Sequence, residues 1–326
     1  MGGSGFILRR MNSFRINRFR SCPLSIRPFR FAVSGLILVL SVAVYAQTEK
    51  SEQLLLENFK VYRDVVYAAP AGTNLMLNLF VPAKGDGPFP VIVWIHGGGW
   101  KNGSRASCAP LKWNRSEYAC VSIDYRLSGI AQFPAQIEDC KAAIRWLRAN
   151  AKQYNLDPER IGVWGGSAGG HLVAMLGVTG DVKEFDAGEN LDQSSKVQAV
   201  CDFFGPVDLL SWAKTTGFEA TILKDFIGGL PLEVPEKLVR ASPLAYVQKG
   251  TTYPPFLIVY GDKDIAVPPS QSQLFCDALI RVRADAELFL VPGAAHGGPV
   301  YYEGEPSAKV QAFFDRYLLP GALKTK

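Results

Sequence analysis

The sequence predicts an α/β fold on a mostly parallel sheet, and three observations carry that expectation. Short apolar runs recur at 90–95, 120–125, 160–165, 197–204, 255–261 and 287–293, as expected of strands covered on both faces. Stretches of helical period lie between them, and such alternation builds parallel sheets through right-handed crossovers. The third observation is size: 326 residues, 48% of them hydrophobic, suffice for one large core. Glycine and proline number 31 and 21 but follow no period, which excludes collagen-like and low-complexity classes.

Residues 1–46 read as a targeting leader. They hold seven arginines (Arg9, Arg10, Arg15, Arg18, Arg20, Arg27 and Arg30), no lysine and no acid. The apolar run 31–46 has 16 residues, short of the about 20 that span a hydrocarbon core. It ends in Val44-Tyr45-Ala46, a small-residue pattern for cleavage before Gln47. A secreted or periplasmic protein is expected, with Met11 as an alternative start. An uncleaved amino-terminal membrane anchor and an organellar transit peptide are the competing readings. Without the leader, 28 basic residues face 30 acidic ones, a net of −2 against +5 for the whole chain. No bulk charge then argues for nucleic acid, and no stable membrane insertion is expected after cleavage.

Cys22 precedes the apolar run, so it is not the lipidated residue that follows a cleavage site. Cys108, Cys120, Cys140, Cys201 and Cys276 are scattered without a C-x-x-C, which argues against a metal knuckle or a disulfide scaffold. Their odd number leaves at least one thiol unpaired within the chain. Small buried hydrophobes are the expected role of each.

Residues 47–60 form an amphipathic lead-in. The partly alternating run 75–81 before the turn-rich 82–88 predicts an edge hairpin with the stretch near Val65. From 136 to 154, Ile137, Cys140, Ile144, Leu147 and Ala151 recur at spacings of three and four, while Glu138, Asp139, Lys141, Arg145, Arg148 and Lys152 are polar. That pattern predicts an amphipathic helix, ended by Asn155-Leu156-Asp157-Pro158. Further helices are expected over 168–178, 270–284 and 307–318. The stretch 205–254, with Gly-Pro-Val-Asp, Trp212 and several prolines, fits a small, partly helical cap over the carboxyl end of the sheet. No repeat or linker interrupts the chain, so 47–326 reads as a single domain.

Three clusters carry chemistry. Gly165-Gly166-Ser167-Ala168-Gly169-Gly170 joins a predicted strand to a predicted helix. Small residues around the serine permit a sharp turn that exposes its hydroxyl, and a helix start offers free N–H groups to negative charge. His96-Gly97-Gly98-Gly99-Trp100 follows the strand 90–95, and its glycine N–H groups can form half of an oxyanion hole. Gly98 is the first candidate donor, with Gly97 and Gly99 as alternatives, and Ala168 supplies the other N–H. A phosphate cradle is disfavoured because no lysine stands at the P-loop position. The third cluster pairs Tyr260-Gly261-Asp262-Lys263-Asp264 with Gly293-Ala294-Ala295-His296-Gly297-Gly298, each ending a late strand. A serine needs a base, and the base needs an acid to fix its tautomer. Of three histidines, His96 shapes the glycine loop and His171 packs one turn into the helix. His296 is therefore the candidate base, Asp264 the acid, and Asp262 the nearest alternative.

Over roughly residues 60–320 the chain resembles the α/β-hydrolase superfamily. HGGGW (96–100), DYRLS (124–128), FPAQIEDCKAAIRWLRANA (133–151), GGSAGGH (165–171), YGDKD (260–264) and GAAHG (293–297) carry the likeness. Within it the chain is most similar to bacterial carboxylesterases of the hormone-sensitive-lipase-like group and to carbohydrate or feruloyl esterases. The resemblance implies an eight-stranded sheet flanked by helices. It also implies Ser167 as nucleophile, Asp264 as acid, His296 as base, and Gly98 and Ala168 as oxyanion donors. Tyr260 departs from the histidine many relatives have before Gly-x-x-Asp, without removing a triad member.

The implied activity is two-step hydrolysis of a small-molecule or oligosaccharide ester, such as an acetyl or feruloyl sugar, with no metal or organic cofactor called for. Related exopeptidases and kynurenine formamidases share parts of these motifs, which keeps amide hydrolysis open. The motifs are also compatible with a generic short-chain carboxylesterase and with a hydrolase-fold binding protein that lacks activity. Trp100 beside the oxyanion loop and Trp212 near the cap are candidate substrate-binding residues, because flat aromatic faces bind sugars or a feruloyl ring. The sequence assigns no oligomeric state.

Overall fold

The computed structural model describes residues 55–113, 115–215 and 217–319. The chain divides into two units, residues 1–52 and 53–326, and every described residue belongs to the second. The leader and its expected cleavage site lie outside the described residues.

Runs of Val, Ile and Leu form strands β1 (Phe59–Ala68), β2 (Leu75–Pro82), β3 (Phe89–Ile95), β4 (Ala119–Ile123), β5 (Leu156–Gly166), β6 (Ala199–Phe203), β7 (Phe256–Gly261) and β8 (Ala286–Val291). They make one eight-stranded sheet in the order β1-β2-β4-β3-β5-β6-β7-β8. The β1–β2 and β2–β4 pairs are antiparallel and the other five parallel. The edge hairpin near Val65 is present, with Val65 opposite Leu77. The helices of six or more residues are α1 (Ala135–Ala149), α2 (Ala168–Val178), α3 (Gly217–Ile227), α4 (Pro235–Arg240), α5 (Pro269–Arg281) and α6 (Gly304–Leu318).

Every residue of β3 is buried because both faces are covered. Alternation along the strand sends Val91, Val93 and Ile95 into a core shared with α1, α2 and α5. Ile92 and Trp94 enter the opposite core, shared with Trp164, Phe203 and α6. This is the α/β-hydrolase arrangement, and its parallel register brings the strand ends together at one edge. Ile95 stands opposite Gly165, Gly166 opposite Phe203, and Gly261 opposite Val291. The loops after β3, β5, β6, β7 and β8 therefore share one rim.

The helical pattern at 136–154 divides in the structure. α1 stops at Ala149, and one further turn (Ala151–Tyr154) ends on Asn155 at φ 56°. A left-handed residue is a common helix stop because it turns the chain away from the ladder. The polar residues of α1 are not a solvated stripe. Lys141, Arg145 and Arg148 are buried beneath the 179–198 connection. Lys141 Nζ donates to the Thr179 and Val182 carbonyls at 3.0 and 2.7 Å and reaches Asp186 at 2.8 Å. Arg148 donates to the Ser194 and Lys196 carbonyls. Periodicity could not reveal this, because it distinguishes polar from apolar faces but not water from a distant segment's carbonyls. The five cysteines among the described residues carry free thiols, four of them buried. No helix among the described residues is long and apolar enough to cross a membrane.

Candidate active site

β5 delivers Ser167 into a strained turn. Its φ and ψ are 58° and −120°, a region that disfavours any residue with a Cβ. Two backbone bonds hold it there. Ser167 N–H donates to the Phe203 carbonyl at 2.8 Å, and its own carbonyl accepts from His171 N–H at 2.9 Å. The turn is tight enough to exclude side chains: a Cβ on Gly169 would lie 2.1 Å from the Ile95 carbonyl oxygen. Ala168 begins α2, where backbone N–H groups have no intrahelical acceptor.

The glycine loop after β3 closes on itself, with Lys101 and Asn102 N–H both donating to the Gly98 carbonyl at 3.1 and 3.0 Å. Gly98 has φ 109°, and a Cβ there would meet Asn102 O at 2.3 Å, so the bend requires glycine. His96 braces this loop. Its Nδ1–H donates to the Gly97 carbonyl at 2.8 Å, and its ring stacks on Tyr125 at 4.3 Å. Burial lowers its pKa, which favours the neutral ring. Nε2 of His96 has no partner among the described residues.

The loops after β7 and β8 supply the acid and base candidates and give the two aspartates different partners. Asp262 Oδ1 accepts from Gly293 N–H at 2.6 Å and serves the turn. Asp264 is buried, and its Oδ1 accepts from Ala266 and Val267 N–H, both at 2.9 Å. Those bonds aim Oδ2 at His296 Nδ1, 2.7 Å away. A carboxylate only accepts, so Nδ1 carries the proton and Nε2 is left with a lone pair. That lone pair lies 2.8 Å from Ser167 Oγ. The geometry therefore brings Ser167, His296 and Asp264 into one hydrogen-bonded line, although Asp264 stands 97 positions after the serine in sequence.

A pocket of about 400 Å³ opens over Ser167 and His296 and is lined by Gly97, Gly98, Gly99 and Ala168. Trp100 and Trp212 reach it, but their rings are engaged in packing. Trp100 stacks on Phe226 at 4.2 Å, and the Trp212 indole donates to the Ala266 carbonyl at 2.9 Å. Trp94, Phe204, Ile222, Val267 and Tyr302 also line the pocket. Most of these have the sequence character of core. The signal available was adjacency: Trp94 stands two residues before His96, and Val267 three after Asp264. Ile222 lies on α3, in the connection between β6 and β7, and packs over Gly99.

A buried carboxyl lies behind the elbow. Asp202, at the end of β6, is fully buried, with Oδ1 accepting from Gly205 N–H at 2.9 Å and Oδ2 unpartnered among the described residues. Burial pushes its pKa up to about 7.

A mostly parallel eight-stranded sheet with a serine elbow after β5 defines an α/β-hydrolase. The chain belongs to the BD-FAE family, whose pattern matches residues 77–279. Esterase LipC of Mycobacterium tuberculosis is 33% identical over 219 residues, which are 64% of this chain and 53% of that protein. Among solved structures, a truncated carbohydrate esterase from gut microbiota is 32% identical with a TM-score of 0.71, covering 79% of this chain and 96% of that one. Esterase Est2 of Thermogutta terrifontis is 26% identical with a TM-score of 0.64, covering 81% and 95%. The chain spans about half the length of the curated relatives it matches first.

Proposed function

We propose that this chain is a serine-dependent carboxylic ester hydrolase that removes small acyl or aromatic acyl groups from carbohydrate esters. The observation that carries the reading is the line from Ser167 Oγ through His296 to Asp264, at 2.8 and 2.7 Å, opening into the pocket. Ser167 Oγ attacks the ester carbonyl while His296 Nε2 takes its proton, and Asp264 supports the resulting imidazolium. The Gly98 and Ala168 N–H groups, with Gly97 as the alternative donor, stabilise the oxyanion. Collapse expels the alcohol, which takes the proton from His296, and leaves an acyl-Ser167 ester. Water then gives a proton to His296 and attacks this ester, releasing the acid and restoring Ser167.

The pocket volume falls in the range of about 300–1,000 Å³ typical of small-ligand sites. Its apolar lining, with Trp94, Phe204 and Tyr302, suits an acyl or aryl group. Similarity to a carbohydrate esterase supports a sugar alcohol on the other side. The apolar lining and the likeness to Est2 also favour a second reading, a generic short-chain carboxylesterase. Action outside the cytoplasm is part of the proposal. Exported protein beginning at Gln47 supports it, and full-length protein held in the membrane refutes it.

The test is a substrate panel run on wild type and Ser167→Ala: short p-nitrophenyl esters, acetylated xylan, feruloylated sugars and peptides. The expected result is release of acetate or ferulate by wild type and no burst acylation in the variant. Activity on p-nitrophenyl esters alone replaces the carbohydrate reading with the generic one. Acylation retained in Ser167→Ala refutes the nucleophile.

A further inference from the structure

His171 lies one turn beyond Ser167 on α2, wholly buried, and both of its ring nitrogens bond across segment boundaries. Nε2 lies 2.7 Å from the Ala241 carbonyl, and Nδ1 lies 3.2 Å from Trp100 Nε1. A carbonyl only accepts and an indole N–H only donates, so the ring is the neutral tautomer with its proton on Nε2. Burial enforces neutrality by pulling the pKa down to about 4. A protonated ring would set a second N–H against that of Trp100.

Both partners belong to functional segments. Trp100 ends the glycine loop at φ 56°, its carbonyl accepts from Ser128 N–H at 2.8 Å, and its ring stacks on Phe226 of α3. It is the large side chain next to three glycines that have none of their own, so its placement sets where the loop backbone lies. Ala241 follows α4 within the 205–254 insertion. The adjacent Ser242 Oγ accepts from Leu209 N–H at 2.9 Å and donates to the Leu238 carbonyl at 2.7 Å, fixing that stretch. One imidazole thus joins the glycine loop, the helix behind the serine, and the insertion that carries Ile222 and Trp212 into the pocket.

We propose that His171 is a positioning residue, which holds Trp100 and hence the Gly97–Gly99 N–H groups in the geometry the transition state needs, and ties that geometry to the seating of the insertion. The inference rests on Ser167 as nucleophile and goes beyond it, because His171 touches neither substrate nor the reacting atoms. Its effect falls on turnover, since oxyanion donors act mainly once charge develops on the carbonyl oxygen.

The experiment is His171→Phe, which keeps a planar buried ring and removes both hydrogen bonds. With a short p-nitrophenyl ester, kcat per site titrated by a serine-directed phosphonate falls between about tenfold and a hundredfold, while KM moves less than about threefold. A purely structural role would lower the titrated fraction and leave kcat per titrated site unchanged. Turnover per site within about twofold of wild type overturns the proposal. Where His171→Phe does not fold, Trp100→Phe removes the indole donor from the other end of the same bond. It is held to the same two results. Ser167→Ala, assayed alongside, separates this idea from its parent. Turnover retained there overturns both, whereas turnover lost there with His171→Phe unaffected overturns this one alone.

Discussion

Replacing Ser167 by glycine is expected to make the protein more stable than replacing it by alanine, and neither variant is expected to acylate. Both lose the hydroxyl and its bond to His296, so the comparison isolates the Cβ. At φ 58° and ψ −120° a side chain sits in a sparsely allowed region, at a cost of about 1–3 kcal/mol. Glycine is free of that cost but gives the unfolded chain more freedom, which removes about 0.5–1 kcal/mol. The balance favours glycine by about 0–2.5 kcal/mol, with a midpoint of about 1 kcal/mol. For a body of this size, each kcal/mol raises Tm by roughly 2–4 °C. Urea melts of the two variants at one pH give the difference directly, and stopped-flow release of p-nitrophenolate checks that both lack the burst. A glycine variant weaker than the alanine variant refutes the claim that strain is stored at this turn. The strain also has a functional sense. The same backbone angles that cost stability point Oγ at His296, out of the reach of an ordinary strand-to-helix turn.

Two further substitutions test neighbouring carboxyls. Asp264→Asn presents an amide to His296 Nδ1 and favours the wrong tautomer, so kcat should fall by about 10³–10⁴. Asp262→Asn keeps an oxygen that accepts from Gly293 N–H, loses only the charge, and should stay within about tenfold of wild type; the reverse ranking would sink the assignment of Asp264. Asp202→Asn tests the buried carboxyl through pH. Its folded pKa is raised from 3.8 to about 7, so the folded state binds the extra proton and wild-type stability falls as pH rises through that window. Between pH 5 and 8 wild type should lose about 3 kcal/mol more than the variant by linkage. Equal pH slopes in urea melts of the two proteins would show that burial does not hold this group protonated.

The fold was legible because parallel strands buried on both faces leave an unmistakable trace, short apolar runs such as 90–95 and 255–261 separated by helical periods. The site residues stood out for a chemical reason. Serine between glycine and alanine, histidine between alanine and glycine, and a Gly-Asp turn are costly or useless arrangements in ordinary strand ends. The pocket wall was less visible, since Trp94, Val267 and Ile222 have the composition of core. Nothing local distinguishes a side chain that faces a cavity from one that faces a neighbour. The same limit applied to α1, whose Lys141 and Arg148 read as a polar face and prove to be buried on carbonyls of the 179–198 connection.

The sequence by itself determined the class of fold, the order of its strands and helices, and a short set of groups able to do nucleophilic chemistry. All three follow from local patterns: period, turn chemistry and residue type. Only the tertiary structure shows which of Asp262 and Asp264 faces His296, because the two differ in which way a five-residue turn aims them. Only it gave His171 its two partners, 71 and 70 positions away at Trp100 and Ala241. Hydrogen bonds are directional and a few ångströms long, so their pairing is settled by how β3, β5, β7 and β8 lie side by side, which chain order alone does not specify.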